Sequence, residues 1–324
     1  MNMFFLKRIT AFLLAMLFLF CSPAFAEDLS PLPMDSYAPG PVPKDSAYLS
    51  DTEYEDESIS VKIYYDRYAD TDYVYAHVKI SHPSQLRTAP ATLADKGVNL
   101  DKVNFRYTAE LTSRGRYIAN AANAVISING DYFTKTDKCQ VVMRQSQQVR
   151  NAADGTMDLL VIDKNGDLTA LPKFTRAQYN AYLDEHESEM YNVFCFGPVL
   201  AENGASVIAN NYQNGFVGAQ NSTQRSAIAQ LGPLEYMIIT CNGPQTSGNK
   251  GMTIPEFAAV CEAAGKKLSK NGCLLAFNLD GGNSATMNFK TKNTKTGQLN
   301  YVKVNCPEIE RFLSDIIYFA TLVR

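Results

Sequence analysis

Two short runs constrain this chain more than anything else in it. "NAVISI" (123–128) and "CLLAFNL" (273–279) are apolar without alternation, which is the pattern of strands covered on both faces. Each stops abruptly in polar groups and glycines: Asn129-Gly130-Asp131-Tyr132-Phe133 after the first, Asp280-Gly281-Gly282-Asn283-Ser284 after the second. A fold that buries such strands needs layers on both sides of them. Where a buried strand ends and the backbone turns sharply, side chains and amides can converge on a ligand. Asn-Gly and Asp-Gly are also favoured turn pairs, so either motif alone supports a plain turn as well as it supports a binding site.

The surrounding sequence supplies the layers. "DYVYAHVKI" alternates, with Val74, Ala76, Val78 and Ile80 on an inner face and Tyr73, Tyr75, His77 and Lys79 on an outer one. It pairs with "SISVKIYY" across the Asp70-Thr71-Asp72 turn. Thr253-Ile254-Pro255-Glu256 is a capping box, and Phe257, Val260, Cys261, Ala264 and Leu268 then fall on one face of a helix that Gly272 can stop. "LLVIDKNGDLTAL" reads as a hairpin; its glycine comes too early for a calcium loop. The glycine-rich "CNGPQTSGNKG" (241–251) has the length and position of a lid, and suits a disordered surface loop as well. These elements predict one α+β domain over residues 58–324, a mixed, mainly β-sheet core with a few packed helices.

Two segments precede it. Residues 1–26 run from Lys7-Arg8 through an apolar stretch to Ala24-Phe25-Ala26, the layout of a secretory signal cleaved after Ala26 and too short to remain as a comfortable membrane anchor. Residues 27–57, with five prolines and the acidic "DTEYEDES", read as a disordered linker. The expectation is a secreted or extracytoplasmic protein with no stable membrane insertion after cleavage. Without the signal the balance is 28 Lys+Arg against 33 Asp+Glu, which does not suit nucleic acid.

Chemistry is narrowed mostly by exclusion. The cysteines beyond the signal, at 139, 195, 241, 261, 273 and 306, include no C-x-x-C pair. Zinc is disfavoured, disulfides stay open, and Cys261 and Cys273 also fit as buried thiols. None of His77, His82 and His186 stands beside the glycine motif, and Gly282-Asn283-Ser284-Ala285-Thr286 lacks the last glycine of a nucleophile elbow. Ser284 is a poor nucleophile on that count. Arg225, in "TQRSAIAQLGP", precedes an apolar strand with no acidic neighbour in sequence; a phosphate or carboxylate ligand suits it, and so does a distant salt bridge. Arg311, in "PEIERFLSDIIYF", carries the same ambiguity.

Taken in order, "AVISINGDYF", "FGPVLAENG", "QRSAIAQLGP", "GMTIPEFAAVCEAAG", "LLAFNLDGGNSATM" and "ERFLSDIIYF" resemble successive blocks of the phosphodiester glycosidases. The resemblance spans about residue 100 to the C-terminus, with Asn283 where the family more often has a third glycine, and Ser226 and Ala229 departing from its arginine block. It implies a hydrolase that cleaves a sugar-1-phosphodiester, such as an N-acetylglucosamine 1-phosphodiester, at the anomeric C–O bond, on cell-surface or extracellular polysaccharide. The residues carried over are Asp280 and Arg225 as catalytic groups, with Asn129, Asp131, Gly281, Gly282, Ser284 and Arg311 binding substrate. No cofactor is demanded, although Asp131 and Asp280 could host a divalent cation such as calcium. The alternatives are a hydrolase of a different glycosidic linkage and a non-catalytic polysaccharide or cell-wall binding module.

Overall fold

A computed structural model of the chain describes residues 29–94, 111–131, 140–306 and 308–324. The expected signal segment, together with Tyr132, Phe133 and Cys139, lies outside these residues.

Strands dominate, as expected of the α+β class. The largest sheet has nine, in the order Tyr48–Ser50, Glu53–Glu55, Ile59–Tyr68, Thr71–Ile80, Glu235–Cys241, Ser226–Gly232, Leu275–Asn278, Val199–Glu202 and Ala205–Ser206. A five-stranded sheet runs Leu168–Leu171, Asp158–Asp163, Met190–Phe196, Val141–Arg144 and Gln147–Asn151. Another runs Leu299–Lys303, Met287–Lys292, Ile126–Asn129, Asp315–Phe319 and Leu86–Pro90. Both runs that opened the sequence argument are buried strands, Ile126–Asn129 and Leu275–Asn278, covered along their whole length.

Local chemistry places several elements where the pattern puts them. The helix Ile254–Leu268 begins with the Thr253/Glu256 capping box and buries Phe257, Val260, Cys261 and Ala264; it ends before Gly272, at an extended Ser269. The strands Ile59–Tyr68 and Thr71–Ile80 pair with Tyr68 opposite Thr71, so the turn sits on Ala69 and Asp70. Their outer face departs from expectation, because Tyr73 and Tyr75 are buried. The helix Ile254–Leu268 shares their core cluster, and its Lys267 reaches Asp66 at the hairpin's end, so part of that face meets protein instead of water. Asp158–Asp163 and Leu168–Leu171 form the expected hairpin. The five described cysteines are all buried free thiols.

The linker assignment for residues 27–57 is overturned from residue 29 onward. Leu32 and Tyr37 are buried, and Tyr48–Ser50 and Glu53–Glu55 form the edge of the nine-stranded sheet. A proline-rich extended chain leaves its carbonyls free, and here a buried arginine uses them. Arg87 donates to the carbonyls of Pro33 (2.9 Å) and Ser36 (2.5 Å), while the Tyr37 hydroxyl donates to the Arg144 carbonyl at 2.6 Å. The segment is a strap across the core. No helix among the described residues is long and apolar enough to cross a membrane.

Candidate active site

The ends of strands from two of the large sheets, the nine-stranded one and the five-stranded one that holds Ile126–Asn129 and Asp315–Phe319, meet at one narrow cleft of about 20 Å³. Asn129, Gly130 and Asp131 come from the end of one strand, Asp280 and Ser284 from the turn after another, and residues 311–315 from the approach to the last strand. Six positions singled out in the sequence therefore divide: Asn129, Asp131, Asp280, Ser284 and Arg311 line the cleft, and Arg225 does not.

Asp280 is held from behind. The Asn129 amide donates to the Asp280 carbonyl at 2.8 Å and accepts from the Ser226 hydroxyl (2.8 Å) and the Thr286 amide (3.0 Å). Asn129 is thus a clamp joining three strand ends, and its side chain has little left to offer a ligand. The Asp280 carboxyl is partly exposed at the cleft. Removal from bulk water pushes it up to about 6, assisted by the charge of Asp131 and opposed by the Ser284 hydroxyl, by Arg311 and by the Gly281 amide. That leaves an acid poised to be a carboxylate at neutral pH while still able to take a proton.

The glycines serve the backbone, not the ligand. A Cβ on Gly281 would stand 2.7 Å from the Gln224 carbonyl oxygen, so only glycine lets this turn lie against the strand beside it. The Gly282 amide donates to that same carbonyl at 2.8 Å, and the Gly281 amide bonds Asp280. Neither amide is free for phosphate, and neither glycine lines the cleft. Asn283 is exposed, so a side chain there costs the turn nothing.

Arg225 has a different task from the one expected. It is 2% exposed and donates to the carbonyls of Met252 (3.0 Å), Val217 (2.8 Å), Gly218 (2.8 Å) and Asn221 (2.7 Å). Burial lowers it to about 10, which keeps it charged at neutral pH. Its charge is spent on bracing irregular backbone. Arg311 is the cleft's cation: it is exposed, and its Nη1 lies 3.5 Å from the Ser284 hydroxyl. The 241–251 loop is likewise no lid at this cleft. Thr246 bonds Cys306 and Glu308, Lys250 pairs with Asp70, and Thr71 donates to Gly251, which ties the loop to the hairpin tip and the C-terminal region.

Two buried charged residues at the cleft escaped the sequence reading. Arg144 is fully buried beneath the cleft and Asp315, almost as buried, lines it; Arg144 donates to Asp131 Oδ1 (2.7 Å) and Asp315 Oδ2 (2.8 Å) and lies 3.9 Å from the Phe194 ring centroid. A lone arginine ending the apolar "VVM" and a lone aspartate opening "IIYF" were the available signals. Among the described residues no cluster of His, Cys, Asp or Glu has the arrangement to hold a metal ion. The three histidines stay away from the cleft; His77 pairs with Glu235 at 2.6 Å.

The model of the phosphodiester glycosidase family matches residues 122–320. The chain belongs to that family. No curated protein matches its sequence significantly. Among solved structures it is similar to the catalytic domain of zebrafish N-acetylglucosamine-1-phosphodiester alpha-N-acetylglucosaminidase, auto-inhibited by its pro-peptide, at 14% identity and a TM-score of 0.56. That match covers 84% of this chain and 86% of the zebrafish one, and it shows the fold. A Synechocystis protein (15% identity, TM-score 0.45, 81% of this chain and 62% of that one) is more distant. So is an exported protein of Burkholderia pseudomallei (14%, 0.45, 77% and 74%). Family and fold together support a phosphodiester glycosidase-like, hydrolytic function.

Proposed function

We propose that the chain hydrolyses a sugar-1-phosphodiester, such as an N-acetylglucosamine 1-phosphodiester, at the anomeric C–O bond, acting outside the cytoplasm on cell-surface or extracellular polysaccharide. The observation that carries this reading is the pairing, in one cleft, of a carboxyl pushed up to about 6 with an exposed arginine and a hydroxyl: Asp280, Arg311 and Ser284.

The chemistry fits the parts. Cleavage proceeds through an oxocarbenium-like state, so a carboxylate on the sugar side, as nucleophile, base or charge partner, lowers the barrier. Asp280 occupies that role. The departing group is an anion, and a guanidinium matches its geometry and charge. Arg311, and not Arg225, is the cation placed to receive it. Ser284 orients Asp280 and Arg311 toward each other, since its hydroxyl bonds both. The sequence layout of residues 1–26 supports the extracytoplasmic setting.

Asp280→Asn tests the assignment. Release of free sugar from N-acetylglucosamine 1-(methyl phosphate) should fall by about 10²–10⁴-fold with folding intact. Unchanged turnover would remove Asp280 from the chemistry. A binding module would instead keep its affinity for the diester in this variant.

A further inference from the structure

Beneath Asp280 lies a unit that the reading above leaves unused. The side chains of Asp131, Arg144 and Asp315 are 0%, 0% and 1% exposed. Arg144 gives one donor to each carboxyl and others to the carbonyls of Met143 and Val193. Two acids share one cation out of reach of bulk solvent, and an uncompensated charge there is strongly unfavourable. One of the acids therefore keeps its proton.

The hydrogen bonds say which. Asp131 accepts at both oxygens, from Arg144 at Oδ1 and from the Cys195 amide at Oδ2 (2.9 Å). Asp315 accepts only at Oδ2, and its buried Oδ1 has no partner among the described residues. As a carboxylate oxygen, Oδ1 would be an orphaned charge; as an O–H it is a donor awaiting an acceptor. The backbone leaves room for that acceptor. Strand register sets Ile316 opposite Asn129, which brings Asp315 against Gly130, where a Cβ would stand 2.3 Å from Oδ1. Only glycine lets the backbone lie this close to the buried oxygen, and both residues line the cleft.

We propose that Asp315 is the acid of the cleft, its Oδ1 carrying a proton that passes to the bridging oxygen of the phosphodiester as the anomeric C–O bond breaks. This rests on the function proposed above. The electron pair of the breaking bond stays with the bridging oxygen, which takes the proton and leaves as a phosphate monoester. Water adds its hydroxyl to the anomeric carbon and gives its other proton to Asp280. Solvent then moves a proton from Asp280 back to Asp315, and the sum is hydrolysis. The two acids are tuned apart in the required sense: burial and the charge of Asp131, opposed by Arg144, put Asp315 at about 7, against about 6 for Asp280. The charged and titratable groups around Asp315 are Asp131 and Arg144 beneath it, Asp280 and Arg311 in the cleft, and Tyr37 on the strap.

The test compares wild type with the isosteric Asp315→Asn on N-acetylglucosamine 1-(methyl phosphate) from about pH 5 to pH 9. The expected result is a kcat lower by about 100-fold, loss of the falling limb near neutrality, little change in KM, and partial rescue by Asp315→Glu. A wild-type kcat in Asp315→Asn, or a reduced kcat that keeps the falling limb, would overturn the proposal. If wild type cleaved no sugar phosphodiester, the function would fall separately, and carboxyl-¹³C NMR would still decide the proton. An Asp315 resonance, assigned by its absence in Asp315→Asn, should be that of a protonated carboxyl near pH 6; an ionised one would overturn it.

Discussion

Arg144 and Arg225 are both almost completely buried, and they are neutralised in opposite ways. Arg144 meets two carboxyls and sits under the cleft; Arg225 meets four backbone carbonyls and sits outside it. A carboxyl partner makes a buried arginine part of a titrating unit whose charge depends on pH. Carbonyl partners make it a brace, with a fixed positive charge and no proton to share. Burial and residue type are the same in the two places; the partner decides whether the residue belongs to chemistry or to architecture.

The largest effect follows from breaking the first unit. Arg144→Met removes the cation that bridges Asp131 and Asp315 and should cost about 3–5 kcal/mol of unfolding free energy, read by chemical denaturation at neutral pH. Adding Asp315→Asn to that variant should recover part of the loss, because one of the stranded acids is then neutral. A loss that the second substitution does not relieve would show that the pair is not one electrostatic unit.

This contrast explains what was legible in the sequence. Strands, hairpins and the capped helix were readable because periodicity and caps are local properties, carried by neighbours such as Thr253 and Glu256. Polar groups at the ends of apolar runs marked Asp131, Asp280 and Ser284 as turn or site, and the family resemblance singled them out with Arg311; the structure brings all four to one cleft. Arg144 was not, since its partner Asp315 lies 171 positions away and no local pattern connects them. Arg225 drew attention for lacking an acidic neighbour, yet its actual partners are main-chain carbonyls, which every residue has. The strap at 29–57 misled for a similar reason: prolines and acids predict little self-made structure, but Leu32, Tyr37 and the buried Arg87 supply anchorage from elsewhere.

A smaller effect belongs to the second arginine. Arg225→Met strands carbonyls that surround the guanidinium and should cost about 1–3 kcal/mol, less than the change at Arg144 because part of that backbone can take up water. Turnover of the sugar phosphodiester should change little, since Arg225 does not line the cleft and reaches it through its chain neighbours, the Gln224 carbonyl under the Gly281-Gly282 turn and the Ser226 hydroxyl on Asn129. A large loss of kcat at undiminished stability would return Arg225 to the catalytic machinery and erase the distinction between the two arginines.

The finest distinction is in the pH dependence of stability. Asp315 at about 7 and Asp280 at about 6 both lie above the ordinary carboxyl value, so between about pH 4 and pH 7 the folded chain holds more protons at these sites than the unfolded chain. Their contribution to stability is accordingly complete below pH 4 and declines as pH rises through the folded values. Acids lowered by surface partners, such as Asp66 and Asp70, act in the opposite sense and lose their contribution at the acid end of the range. The whole-protein profile mixes the two, and only a difference isolates the buried site. Subtracting the Asp315→Asn profile from wild type should leave a curve that falls from about pH 4 to about pH 7 and is flat above. The same subtraction with Arg225→Met should be flat throughout that window, because a guanidinium at about 10 exchanges no proton there. Two sloping curves would mean that the arginines are electrostatically coupled after all, and two flat ones that Asp315 is ionised throughout the range and cannot be the acid of the cleft.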